Sequence, residues 1–184
     1  MQEALDYNNF PYYTYDDYKS WEGQWELIEG VPYAMAPAPY PKHQRVVFNG
    51  AKELDSNFEC NQKECAIYIA PVDWKISDDT VVQPDIAIFC EESNKQYFSK
   101  TPPLVVEVLS KATALKDVTT KFKLYERVGV EFYIIIEPES EVFDIYKLEG
   151  KEYKHIKKGV KIDRVEFELS NGCKSAIDFS KVFK

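Results

Sequence analysis

Short apolar runs separated by turn residues predict a chain built mainly from strands. Such runs are typical of strands when Gly, Pro, Asn or Asp residues bound them. The predicted strands cover 66–69, 72–76, 86–89, 104–109, 132–136 and 142–146. The run over 104–109 is almost continuously apolar, which indicates a strand that is covered on both faces. A weak strand or two are expected within 149–184.

The N-terminal part of the pattern predicts a short helix and then a hairpin. Thr14 can cap the helix, and two aspartates follow it in the first turn, where the helix dipole favours negative charge. The hairpin pairs 25–28 with 31–35 and turns near Gly30. A proline-rich stretch over 36–41 predicts an extended loop, because proline disfavours helix for itself and for its predecessor.

Two longer helices are expected, each from apolar residues at helical spacing. The first has the stripe Val47, Ala51, Leu54 and Phe58. The second runs from about 114 to 128, with the stripe Leu115, Val118, Phe122 and Tyr125, and Gly129 can end it.

The order of these elements predicts the fold class. Strand, strand, helix, strand, strand fits an α/β (α+β) fold in which helices flank a central mixed sheet. The N-terminal helix and hairpin would be attached to this core. With 184 residues, the chain is expected to form one domain over 1–184.

Composition bears on where the protein is found and on its cysteines. The acidic start lacks the apolar core of a signal peptide, and the longest apolar runs are too short to span a bilayer. We therefore expect a cytoplasmic protein that does not enter membranes. Four cysteines occur without a C-x-x-C pair, so we expect reduced side chains that act as small hydrophobes, not zinc ligands.

The charge is unfavourable overall for binding nucleic acid. The net charge is −8, whereas contact with phosphates needs local positive charge. Segment 151–164 holds six basic residues against two acidic ones. A solvated face of terminal strands explains this segment better than a DNA-facing patch, and both interpretations stay open here.

Two carboxylates are the strongest candidates for chemistry. Glu107 interrupts an apolar strand, where a buried carboxylate is costly unless it is paired or bound to a metal. Asp85 begins another apolar strand, although an aspartate there could equally be a turn residue. Two strands that each offer one carboxylate can place hard oxygen ligands around one Mg²⁺. A structural ion pair of Glu107 with a lysine is the alternative.

Three further residues are candidates with simpler explanations beside them. Lys121 borders the apolar stripe of the second helix, but a surface ion pair with Asp117, four residues earlier, is the favoured interpretation. His43 begins a helix, where an ordinary polar role is more frequent than a catalytic one. Of Glu26 and Glu29 near the hairpin turn, one should face solvent and one could face a cleft.

An ordered set of motifs resembles the Uma2 family, also called DUF820, of the PD-(D/E)XK nuclease superfamily. The matching stretches are 25–30, His43, 82–87, 104–110 with Thr113, Asp117, Lys121 and Tyr125, and 129–133. The similarity covers roughly 13–148 and implies a restriction-endonuclease-like core. Each motif is weak alone, and the ordered set is specific.

The resemblance implies roles for the candidates. Pro84-Asp85 corresponds to the PD motif and Glu107 to the acidic residue of (D/E)XK. Leu109 stands where the superfamily has lysine, and Lys121 matches the family's lysine on the following helix. Glu26 and His43 match an early glutamate and a recurrent histidine.

The implied activity is Mg²⁺-dependent hydrolysis of phosphodiester bonds, with Mn²⁺ as an alternative ion. DNA is the expected substrate, and a homodimer is expected only by analogy with duplex cutters. The competing hypothesis is an inactive module with the nuclease fold that binds nucleic acid or a protein partner. Two departures from the family pattern, at 110–113 and at 132–133, affect a loop and packing but not the implied metal ligands.

Overall fold

Strands dominate the chain, as the apolar pattern predicts. The computed structural model describes residues 11–35, 40–62, 64–91, 95–110 and 114–184, so the predicted 36–41 loop and the 110–113 motif lie partly outside the described residues. The strands are β1 Trp25–Ile28, β2 Val31–Ala34, β3 Cys65–Ile69, β4 Asp73–Ser77, β5 Thr80–Val82, β6 Ile86–Cys90, β7 Tyr97–Phe98, β8 Leu104–Val108, β9 Phe132–Glu137, β10 Val142–Glu149, β11 Glu152–Val160, β12 Arg164–Glu168 and β13 Lys174–Asp178. The helices are α1 Tyr15–Tyr18, α2 Pro41–Ser56, α3 Ala114–Lys116, a π-helical segment Asp117–Lys121, α4 Phe122–Val128 and α5 Phe179–Val182.

The predicted central mixed sheet is confirmed. Six strands lie in the order β11-β10-β9-β8-β6-β3. Strands β8 and β9 are parallel, and the other neighbours are antiparallel. A parallel pair needs a crossover connection, which is here the helical stretch from α3 to α4. This crossover carries helical side chains across one face of β8.

The two faces of the sheet are covered differently. One face packs an apolar layer against α2, α5 and the β12–β13 hairpin. The other face meets a second sheet in the order β2-β1-β5-β4-β7, together with α4. Because side chains alternate along a strand, β8 contributes to both layers.

The N-terminal helix and hairpin form as predicted. The Asp17 carboxylate accepts hydrogen bonds from the N–H and the hydroxyl of Thr14, which closes the first turn of α1. Strands β1 and β2 pair across Glu29 and Gly30, whose φ angles of 52° and 77° suit a tight hairpin turn.

The apolar stripe predicted for the second helix is wrong in its first half. Leu115 and Val118 are 76% and 44% exposed, whereas Asp117 and Lys121 are buried. The π-helical segment is the physical reason, since its wider turn moves the buried face by one residue. In the first helix Val47 and Leu54 of the predicted stripe are buried, whereas Phe58 lies beyond the end of α2.

The C-terminal region contains more strand than expected. Strand β11 spans nine residues, and β12 and β13 follow it, in place of a weak strand or two. Lysines of the basic segment form ion pairs, among them Lys157 with Asp163 and Lys161 with Glu141. These pairs favour the solvated-face interpretation over a DNA-facing patch. Among the residues described, no helix has the length and apolar character needed to cross a membrane.

The prediction for the cysteines is wrong. The expected reduced thiols are absent, because the sulfur atoms form two disulfides, Cys60–Cys173 and Cys65–Cys90. Sequence spacing missed this because the four residues come from distant parts of the chain.

Candidate functional site

Asp85 and Glu107 lie on the same face of the six-stranded sheet. Strands β6 and β8 pair antiparallel with Ile86 opposite Val106, and extending this register by one residue sets Asp85 opposite Glu107. The Val108 N–H donates to Asp85 Oδ2 at 2.8 Å, which fixes that carboxylate at the end of β8. Both carboxylates line one cavity of about 150 Å³. The two carboxylates therefore open into the same cavity.

Lys121 reaches Glu107 from the crossover helix. Its Nζ lies 2.8 Å from Glu107 Oε1 and 2.7 Å from Glu26 Oε1, and its side chain is 3% exposed. The Tyr125 hydroxyl also donates to Glu107 Oε1, at 2.8 Å. The expected ion pair between Lys121 and Asp117 is present at 3.9 Å, but its expected surface position is wrong, because both side chains are buried.

Glu26 is buried beneath Lys121 and Glu107 and holds the Lys121 ammonium in place. Its Oε1 accepts the backbone N–H of Gln83 at 2.9 Å, and its Oε2 contacts the ammonium of Lys116. Burial would raise the pKa of Glu26, but Lys121 and Lys116 outweigh burial and hold it below its ordinary value. Glu26 is therefore the inward-facing member of the predicted pair, and Glu29 is exposed.

Carboxylates outnumber ammonium groups in the cavity and directly beneath it, where Glu26 lies. The carboxylates of Asp85, Glu107, Asp117 and Glu26 share the ammonium groups of Lys116 and Lys121 and the imidazole of His43. Burial raises the pKa of Glu107 well above its ordinary value, against the attraction of Lys121, and the charges of Asp117, Asp85 and Glu26 add to this. Burial would lower the pKa of Lys121, but the charges of Glu107, Glu26 and Asp117 outweigh burial and raise it well above its ordinary value.

His43 lies in the first turn of α2 beside Asp85. Its Nε2 is 3.4 Å from Asp85 Oδ2, and its side chain is 11% exposed. Burial lowers the pKa of His43, but the hydrogen bond and the charge of Asp85 outweigh burial and raise it overall. His43 therefore borders the cavity next to the carboxylate that it contacts.

The donor set fits a hard divalent cation. Carboxylate oxygens are the ligands that Mg²⁺ prefers, and Mg²⁺ keeps several waters, for which the cavity has room. A bound cation would neutralise the carboxylate charge that the ammonium groups leave uncompensated. Both hydrogen bonds described for Glu107 use Oε1.

Some cavity residues were not identified from the sequence. Lys116 contacts Glu26 and lines the cavity, although α-helical spacing places it on another face from Lys121. Gln83 also lines the cavity and donates from Nε2 to Asp73 at 2.8 Å. The position of Gln83 directly before Pro84-Asp85 was the available signal for it. No sequence signal marked the π-helical turn that directs Asp117 inward.

Comparisons with known proteins give a family and a fold. A family model described as "Uma2: Putative restriction endonuclease" matches residues 14–170. No curated protein sequence matches the chain. A solved structure described as "a putative nuclease belonging to DUF820 from Anabaena variabilis ATCC 29413" is similar at 18% identity and TM-score 0.71, covering 92% of this chain and 97% of that one.

A weaker likeness is to the type IIG restriction endonuclease BpuSI. Its TM-score is 0.28 at 18% identity, covering 60% of this chain and 11% of the enzyme, so it carries no argument. The family match extends beyond the 13–148 range of the motifs and includes β11 and β12. The Anabaena structure and the mixed sheet confirm the predicted restriction-endonuclease-like fold.

Proposed function

Because the chain belongs to the Uma2 family, we propose that it is a divalent-metal-dependent endonuclease that hydrolyses phosphodiester bonds in DNA. The observation that carries this proposal is the alignment of Asp85, directly before β6, with Glu107 on the adjacent strand β8, and the Lys121 ammonium lies 2.8 Å from Glu107. The family description supports the reaction class, and the term restriction endonuclease supports DNA as the substrate.

Asp85 and Glu107 would hold Mg²⁺, or Mn²⁺ in its place. When bound, the ion would lower the pKa of a coordinated water and neutralise negative charge on the phosphate. Asp85 is oriented for this role by the Val108 N–H, and Glu107 by the Tyr125 hydroxyl. Fixed carboxylates of this kind spare the site from reorganising when substrate binds.

Lys121 would position the attacking water and stabilise the charge that develops on the phosphate. Glu26 keeps the ammonium of Lys121 in place without competing for the metal, since its two oxygens are already used by Gln83, Lys116 and Lys121. His43 would contact a phosphate oxygen from the rim of the cavity. Lys116 is more exposed than Lys121, at 13%, and would meet the substrate first.

A non-catalytic module is the second candidate, and one observation favours it. Lys121 is clamped between two carboxylates and almost closed to solvent, as a purely structural ion pair would be. In that case the cavity would recognise nucleic acid or a protein partner without cutting. The net charge of −8 also favours this reading, because it weakens general attraction to DNA.

A cleavage assay separates these candidates. Plasmid DNA, single-stranded DNA and RNA are incubated with the protein in Mg²⁺ or Mn²⁺, beside Asp85→Ala and Glu107→Ala. Glu149→Ala is the matched control, because Glu149 is an exposed glutamate that does not line the cavity. Metal-dependent cutting of DNA that both cavity variants lose and the control keeps supports the enzyme. No cutting of any substrate, or equal cutting by all variants, contradicts it.

A homodimer is part of the proposal, since two cavities are needed to cut both strands in one encounter. Sedimentation of the protein with and without duplex DNA tests this point. A monomer in both conditions would contradict the proposed homodimer.

A further inference from the structure

Four cysteines from separate parts of the chain meet beside the apolar layer. Cys60 follows α2, Cys65 begins β3, Cys90 ends β6 and Cys173 directly precedes β13. The sulfur atoms of Cys60, Cys65 and Cys173 all lie within 4.8 Å of one another, and that of Cys90 is paired with Cys65. Three sulfurs thus form a compact group, and the sulfur of Cys90 adjoins this group through Cys65.

We propose that these four side chains, when reduced, bind one zinc ion as a structural tetrathiolate site. Two disulfides need not lie next to each other in a fold, so disulfide formation alone does not explain why the two pairs are adjacent. A zinc site does require four adjacent sulfurs, because bonds of about 2.3 Å to tetrahedral ligands set the sulfurs about 3.8 Å apart. The clustering of both pairs at one point is therefore the observation that favours the metal.

The spacing of the ligands also fits zinc. Four residues separate Cys60 from Cys65, which lies at the upper end of the C-x₂₋₄-C spacing of structural zinc sites. Cys65 and Cys90 are partners in the register of β3 and β6. One short loop and one strand pair therefore supply three ligands, and the segment before β13 brings the fourth.

The polar surroundings suit thiolates. Asn171 Nδ2 lies 3.3 Å from the sulfur of Cys90 and 3.8 Å from that of Cys65. Asn171 Oδ1 accepts the N–H of Cys173 at 3.0 Å, which fixes the side chain amide in this orientation. Such donors beside ligating atoms orient them and stabilise their negative charge.

The site would join two parts of the fold. The backbones of Glu59 and Lys174 exchange hydrogen bonds of 2.9 and 2.8 Å next to the cluster. A zinc ion there would fasten the β12–β13 hairpin to the edge of the six-stranded sheet. Four protein ligands leave no open position, so the role is structural, and no cysteine lines the candidate catalytic cavity.

Binding is a proton-releasing step without a redox change. Four thiols lose four protons, and the thiolates form four bonds to Zn²⁺, so affinity falls as pH is lowered. The two disulfides must first be reduced, and a phosphine serves as the two-electron reductant for each of them. The proposal is independent of the nuclease activity.

The test uses the full chain, reduced with a phosphine under anaerobic conditions and freed of metal. Co²⁺ is titrated first and Zn²⁺ is then added to displace it. The expected result is one Co²⁺ per chain with the intense absorption of tetrahedral cobalt thiolate, which is lost on adding one equivalent of Zn²⁺. With zinc bound, all four thiols should resist an aromatic disulfide reagent that modifies them in the metal-free protein.

Two variants locate the ion. Cys90→Ser is expected to weaken Co²⁺ binding and reduce the cobalt thiolate absorption, since one of four thiolates is lost, whereas Asp85→Ala should keep both unchanged, since Asp85 belongs to the separate cavity. The number of protected thiols is measured on the wild-type protein, so this test remains valid even if Cys90→Ser fails to fold. Absence of cobalt thiolate absorption in the reduced wild type, or zinc that leaves all four thiols reactive, would overturn the proposal.

Discussion

The two faces of the five-residue strand β8 pack into different environments. Leu104, Val106 and Val108 enter a layer in which apolar side chains pack on α2 and on the β12–β13 hairpin. On the opposite face Val105 is apolar, but Glu107 is 2% exposed among charged groups. One face is stabilised by burial of apolar area, and the other contains charges whose desolvation is unfavourable.

The contrast indicates where stability and chemistry reside. An apolar residue at position 107 would pack without the cost of desolvating a carboxylate and an ammonium. The chain instead carries Glu107, Lys121, Glu26 and Asp117 in one buried group. We infer that the first face maintains the fold, whereas the second gives up some stability for its proposed function.

Glu107→Gln should produce the largest effect and should act on activity alone. Glutamine keeps the volume and the acceptor for Tyr125 but removes the negative charge that a metal needs. Loss of metal stabilisation on the order of 4 kcal/mol lowers the cleavage rate roughly 10³-fold. Lys121 keeps Glu26 at 2.7 Å, so the free energy of unfolding should change little. Cleavage rates and urea unfolding measure the two effects.

The reverse result would break the comparison. If Glu107→Gln strongly destabilises the protein while cleavage per folded molecule is unchanged, Glu107 and Lys121 form a structural pair and the two faces do not differ in role.

Leu104→Ala tests the apolar face of the same strand. Leu104 is fully buried, and its truncation should reduce the free energy of unfolding by about 2–5 kcal/mol. Cleavage per folded molecule should stay near that of the wild type, because the side chain points away from the cavity. Urea unfolding gives the first value, and an assay well below the unfolding transition gives the second. A large loss of activity in folded protein would mean that the faces are coupled.

Lys116→Met sharpens the account of the charged face. Lys116 and Lys121 both contact Glu26, but only Lys121 also contacts Glu107. Removal of Lys116 should weaken substrate binding about 10-fold, the size of one charged contact of about 1.4 kcal/mol, with a smaller effect on kcat. Steady-state kinetics on an oligonucleotide duplex separate the two. A collapse of kcat with KM unchanged would assign Lys116 the role proposed here for Lys121.

Glu91→Gln should give the smallest effect, because it removes a carboxylate that lies outside the charged cavity. Burial would raise the pKa of Glu91, but hydrogen bonds from the N–H of Lys100 and from the hydroxyl and N–H of Ser99 together outweigh burial and lower it. A lowered pKa contributes stability above the ordinary value of 4.5, and this contribution disappears as pH falls through the lowered value. The difference in unfolding free energy between wild type and variant should stay below about 1 kcal/mol and vanish in acid. A difference that grows as pH falls would contradict this assignment.

The sequence predicts local structure here better than it predicts contacts between distant residues. Apolar runs located β6, β8 and β9, because a buried strand reads as such wherever it pairs. The pattern could not show that a π-helical turn would rotate Asp117 and Lys121 inward, since that turn depends on packing against β8 and β9. For the same reason the convergence of Cys173 with Cys60 depends on the position of the β12–β13 hairpin, which local spacing does not encode.

Calorimetric titration with Mg²⁺ tests the central claim most directly, because it asks whether the charged face of the sheet binds a divalent cation at all. The wild type should release or absorb heat with one ion bound per cavity, Asp85→Ala should lose this signal, and Glu149→Ala should keep it. Equal heats from the wild type and Asp85→Ala, or no binding heat in any of the three, would contradict a metal site at Asp85 and Glu107.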